Sequence, residues 1–82
     1  MEDGFINYAR GLAGVEVAAQ LTQAGGDAWR VSFRSRGGVD VSVLAERHGG
    51  GGHRNAAGCV MNGEPDVIED LLAESLTQML GV

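Results

Sequence analysis

Eighty-two residues are enough for one small domain and no more. A net charge of −5 argues against generic tight binding to duplex nucleic acid. The single cysteine, Cys59, excludes an internal disulfide, and no apolar stretch approaches the roughly 20 residues of a membrane span, so a cytoplasmic location is expected.

Phe5, Tyr8 and Leu12 recur at helical spacing and predict a short amphipathic helix that Gly11 and Gly14 break. From Val15 to Thr22 the period changes to two. Val15, Val17, Ala19 and Leu21 share one face, the signature of a half-buried strand. Gly25-Gly26-Asp27 reads as a turn. Alternation resumes from Ala28, with Trp29, Val31 and Phe33 on one face and Arg30, Ser32, Arg34 and Arg36 on the other. The two runs predict a β-hairpin, Val15–Thr22 with Ala28–Ser35, joined by a loop of about five residues.

Gly37-Gly38 ends that strand. Asp40 or Ser42 can cap a helix that runs to about His48, with Val41, Leu44, Ala45 and His48 along its apolar stripe. Gly49 then suits the position just past the helix end. Ala56 to Met61 reads as a short buried strand, and Asn62-Gly63 as a turn. Pro65 opens a final helix whose stripe is Ile68, Leu71, Leu72, Leu76 and Met79. The order α-β-β-α-β-α predicts one small α+β domain over residues 1–82. Its sheet is expected to be mixed, of about three or more strands, with helices packed on it.

Charge is unevenly spread. Between Arg30 and Arg54 lie five of the six basic residues and two of the eleven acids, which leaves a +3 stretch on an acidic body. All six basic residues are arginine, whose planar fork grips phosphate or carboxylate in two places. Directly within this stretch stand four consecutive glycines and a histidine, Gly49-Gly50-Gly51-Gly52-His53. Glycine loses the most backbone freedom on folding, so such a run inside a domain marks a place where geometry demands it. Bare main-chain amides there can cradle an anion. The run is not a Walker loop, since no lysine and no Ser/Thr follow it. It is not a dinucleotide fingerprint either, because it follows a helix and precedes a strand.

A hairpin strand, a crossover helix and a third strand can bring this loop beside the arginines, where phosphate is the simplest ligand. The remaining residues of note read as structural. His48 sits where a cation suits a helix C-terminus. Trp29 and Phe33 belong to the core, Tyr8 to helix packing, Cys59 to a buried and inert position, and Arg30 and Arg54 to the solvent or the scaffold. His48 and His53 lack the further ligands that a metal set needs.

Three segments carry a resemblance to a known family. They are Val31-Ser32-Phe33-Arg34-Ser35, then Val39-Asp40-Val41-Ser42, and the stretch Gly49-Gly50-Gly51-Gly52-His53-Arg54-Asn55-Ala56-Ala57-Gly58. Together they resemble the DHH-associated domain, the C-terminal substrate-binding domain of DHH-family phosphoesterases. Gly4-Phe5-Ile6-Asn7-Tyr8-Ala9-Arg10 and Gly14-Val15-Glu16-Val17-Ala18 resemble a subgroup that combines oligoribonuclease and 3′-phosphoadenosine-5′-phosphate phosphatase activity, often labelled exopolyphosphatase-related.

The resemblance covers nearly the whole chain, and it implies a division of labour. Two divalent metal ions, typically manganese, would be held by Asp and His residues of an N-terminal DHH domain that these residues do not contain. This chain would supply the wall that binds a short oligonucleotide or nucleoside bisphosphate. Arg34, Ser35 and Arg36, with Gly50, Gly51, Gly52 and His53, are the implied substrate-binding residues, and His53 would reach the phosphate near the metals. None of them would be catalytic alone. Two other readings stay open: a free-standing nucleic-acid-binding module, and a dimerisation or interaction domain whose glycines merely allow close packing.

Overall fold

The structure, a computed structural model, describes residues 4–9 and 16–80. Seven elements follow in order: β1 (Gly4–Ala9), β2 (Glu16–Gly25), β3 (Ala28–Arg36), α1 (Val41–Arg47), β4 (Gly51–His53), β5 (Ala56–Asn62) and α2 (Pro65–Leu80). The strands form one sheet in the order β1-β2-β3-β5-β4, and every neighbouring pair is antiparallel. The small α+β class expected from the sequence is what forms. The sheet, however, is wholly antiparallel rather than mixed.

The chain also starts with a strand, not a helix. Gly4–Ala9 pairs with β2 along its length, Ile6 opposite Ala19 and Tyr8 opposite Val17. The 3.6-residue spacing of Phe5, Tyr8 and Leu12 is outweighed by the ladder of main-chain hydrogen bonds that β2 offers, since an unpaired β2 would be a long open edge. Leu12, the far end of the expected helix, lies outside the described residues.

The hairpin of β2 and β3 is tighter than expected. Strand β2 runs on to Gly25, with a register irregularity between Gln23 and Gly25, and only Gly26 and Asp27 make the turn. Gly25 and Gly26 both have positive φ, 113° and 55°, which glycine adopts without steric cost.

One face of the sheet holds the core. Val17, Ala19, Leu21, Trp29, Val31, Phe33, Ala57 and Cys59 meet Val39, Val41, Leu44 and Ala45 around α1, and Ile68, Leu72 and Leu76 of α2. Pro65 begins α2 as its missing N–H and fixed φ allow. Asp40 caps α1, its carboxylate accepting from the Ser42 amide at 3.0 Å and from the Ser42 hydroxyl. Both helices lie on this face, so the fold is a two-layer sandwich whose other sheet face has no helix over it among the described residues. No helix among the described residues is long and apolar enough to cross a membrane.

The order β3-β5-β4 is the feature that positions the site. Strand β3 leads through α1 to β4, which runs parallel to β3 but two places away. The chain then turns at Arg54–Asn55, and β5 fills the gap between them.

Candidate functional site

Because side chains alternate along β3, burying Trp29, Val31 and Phe33 sends Arg30, Ser32, Arg34 and Arg36 to the uncovered face. Antiparallel pairing places directly opposite residues on one face, so the registers define rows across the sheet. One row reads Ala18, Arg34, Ala56, His53, and the next reads Gln20, Ser32, Gly58, Gly51. Arg34 and His53 thus flank Ala56 from opposite sides. Two strand spacings put their Cα atoms about 10 Å apart, close enough for the long guanidinium and the imidazole to meet one group above the Ala56 methyl. Both side chains are exposed. Arg34 also lines two shallow hollows. One, of about 190 Å³, adds Glu16, Ala18, Ser35 and Arg36, and the other, of about 140 Å³, adds Ala18, Gln20 and Ser32.

The glycine run is not the loop expected from the sequence. Gly49, at φ 86°, ends α1, and its amide donates to Glu46 O at 3.2 Å. The Gly50 amide donates to Ala45 O at 2.9 Å. These two amides therefore close the helix rather than cradle an anion, because the last carbonyls of α1 need donors. Gly51–His53 then form an edge strand on β5.

Close packing accounts for two of the glycines. A Cβ on Gly50 would stand 2.0 Å from Gly58 O, and one on Gly52 would stand 2.5 Å from the Ala57 Cα. A Cβ on Gly51 would meet nothing within 4 Å. Gly51 lies opposite Gly58 in the row beside Arg34, so its lack of a side chain keeps the uncovered face low. Among the described residues strand β4 is paired on one side only, and the main-chain groups of its other side are those of a sheet edge.

Ser35 points the other way and ties the site together. Its hydroxyl donates to Val39 O at 2.8 Å and accepts from Asn55 Nδ2 at 3.0 Å, and its amide donates to Asn55 O at 3.1 Å. The Val41 amide, an orphan donor of the first turn of α1, reaches Arg54 O at 2.8 Å. The turn after His53 is thereby fastened to the end of β3 that bears Arg34. Sequence reasoning did not single out Asn55 for this part, and the twenty positions between it and Ser35 leave no local signal.

Arg36 faces Glu16 across the hairpin with 3.9 Å between Nε and Oε1, both well exposed, so the pair contributes about 0–1 kcal/mol. His48 caps α1, and its Nε2 lies 3.2 Å from Ser75 Oγ of α2, a link between the helices. Arg54 lies near Asp40, whose carboxyl is held below its ordinary value chiefly by the Ser42 hydroxyl, with the Ser42 amide and Arg54 helping. Cys59 is buried, and burial pushes its thiol up. Among the described residues no three His, Cys, Asp or Glu side chains gather as metal ligands.

The profile described as the DHHA1 domain matches residues 3–80. The bifunctional oligoribonuclease and PAP phosphatase NrnA of Mycoplasma pneumoniae is 41% identical over 68 residues, covering 83% of this chain and 21% of that protein. The chain therefore spans about a fifth of the length of this curated relative.

Proposed function

The chain belongs to the DHHA1 domain family, and from that premise we propose that its uncovered sheet face is the substrate-binding wall of a DHH-family phosphoesterase acting on short oligoribonucleotides or 3′-phosphoadenosine-5′-phosphate. The observation that carries this reading is the row Arg34, Ala56, His53, which sets an arginine and a histidine on either side of a methyl across the sheet. A phosphate group suits that pair, being anionic and rich in acceptors. The similarity to an oligoribonuclease and PAP phosphatase supports the substrate class.

In this reading Arg34 and His53 hold the phosphate, and Arg36 adds charge at the rim. Gly51 lets the ligand lie close. Gly50, Gly52 and Ser35 hold the geometry from within. Hydrolysis falls to an N-terminal DHH domain of the parent protein. Two divalent metal ions, manganese in this proposal, supply there the activation of water and the stabilisation of the leaving oxygen. The single buried thiol accords with a reducing cytoplasm.

The test is a titration of this chain with 3′-phosphoadenosine-5′-phosphate, followed through its backbone amide resonances. Shifts are expected at Arg34, Gly51, Gly52 and His53. Arg34→Ala should weaken binding by about tenfold or more, the worth of a charge-assisted contact. Shifts confined to α2, or turnover of the ligand by this chain alone, would reject the assignment.

A further inference from the structure

Among the described residues, Arg30 is the one arginine of the uncovered face that the phosphate site does not use. It stands on the same side of β3 as Arg34, four residues away, or about 13 Å along the strand. Between them lie two hollows that share Ser32. The hollow of about 140 Å³ around Ser32 and Arg34 is followed by one of about 260 Å³ lined by Arg30, Ser32, Gly58, Cys59 and Val60. The floor is low, because Gly58 and Gly51 carry no side chain and Ser32 and Ala18 carry small ones. Neutral donors and acceptors flank it, Gln20 opposite Ser32 and Thr22 opposite Arg30.

The opposite end differs. Past Arg34 the strand reaches Arg36, whose charge is met by Glu16 at 3.9 Å. Glu16 is the sole acid at an outward strand position of β2, β3, β4 and β5. Toward Arg36 the arginine is accompanied by an acid, whereas the outward strand positions of β2, β3 and β5 beside Arg30 carry none. Two strand residues advance about 6.6 Å, comparable to one link of an extended nucleotide chain. Four residues then match two links.

We propose that Arg30 is a length-reading residue: it holds the phosphate two links away from the one at Arg34 and His53, so that a trinucleotide gains a contact that a nucleoside bisphosphate is too short to make. This rests on the phosphate assignment of Arg34 and His53. The hollows are open, which suits a single strand lying flat across them.

The two ideas separate in one experiment. Binding of 3′-phosphoadenosine-5′-phosphate and of a 5′-phosphorylated adenosine trinucleotide is measured calorimetrically for this chain, for Arg30→Ala and Arg30→Gln, and for Arg34→Ala. Both Arg30 variants should lower the ratio of trinucleotide to bisphosphate affinity about tenfold, as loss of one charge-assisted contact does. They should also reduce the slope of log K against log salt for the trinucleotide by about 0.7. Arg34→Ala should weaken both ligands together. If the Arg30 variants weaken the two ligands in equal proportion, or neither, length reading is overturned while the phosphate site stands. If the unaltered chain binds neither ligand, or Arg34→Ala weakens neither, the phosphate site itself is overturned and length reading falls with it.

Discussion

Gly50 sits against the backbone of Gly58 so closely that a Cβ on it would lie 2.0 Å from the Gly58 carbonyl oxygen and 2.7 Å from the Cys59 Cα. The last turn of α1 and the centre of β5 meet here with no side chain between them.

Gly50→Ala must push β5 away from α1, and overpacking of this kind costs about 1–3 kcal/mol. Gly51→Ala meets no neighbour within 4 Å and should leave thermal stability within about 0.5 kcal/mol of the original. Its effect should appear instead as weaker binding of 3′-phosphoadenosine-5′-phosphate. Denaturant melts and titrations of the two variants read this inversion, and equal stability loss in both would contradict it.

Ser35→Ala removes a donor to Val39 O and an acceptor for Asn55 Nδ2. The cost should be about 1–3 kcal/mol, since both partners lose a bond at once. The amide resonances of Arg54 and Asn55 should broaden or shift, and phosphate binding should weaken, because the Ser35 hydroxyl fastens the turn after His53 to β3. Asn55→Ala should reproduce the binding loss. A Ser35→Ala chain with full stability and unshifted turn resonances would remove the tie argued for Ser35.

Asp40 sets part of the acid response. Its carboxyl is depressed in the folded chain by the Ser42 hydroxyl foremost, so folding favours the ionised form. The resulting stability is present above the ordinary aspartate value of 3.8 and is lost as the pH falls through the lower folded value. Asp40→Asn keeps a capping oxygen but no titration. Thermal midpoints of the two proteins should differ at neutral pH and converge in acid. A constant gap at all pH values would show that Asp40 carries no linked proton.

Cys59 should react slowly with thiol reagents at neutral pH. It is 6% exposed, and burial raises its pKa, so both access and thiolate are scarce. Labelling should accelerate with denaturant in step with unfolding. Fast labelling of the folded chain would mean that β5 opens far more readily than its place between β3 and β4 implies.

The parts of the fold legible in the sequence were those with a clean period. Strands β2 and β3 announced themselves by alternation, α1 by Asp40 and its apolar stripe, and α2 by Pro65 and the run from Ile68 to Met79. Strand β1 did not, because Phe5, Tyr8 and Leu12 fit a helical spacing and only its partner β2 decides otherwise. Strand β4 could not, because glycines carry no pattern. The arginine face was visible as alternation, and His53 as the residue that ends the glycine run. Their alignment was not, since it depends on Ala56 standing opposite both, a matter of register between distant segments. The Gly50 amide was expected to be free, whereas the end of α1 claims it together with that of Gly49, the residue that suits the position just past a helix.

The placement of β5 between β3 and β4 also sets an order of events. Its contacts with β3 join residues far apart in the chain, and such pairings are late and slow to form. Until Ala56 and its successors have left the ribosome and slotted between their two neighbours, no fixed distance separates Arg34 from His53. The alignment of Arg34 with His53 therefore arrives only together with the finished sheet.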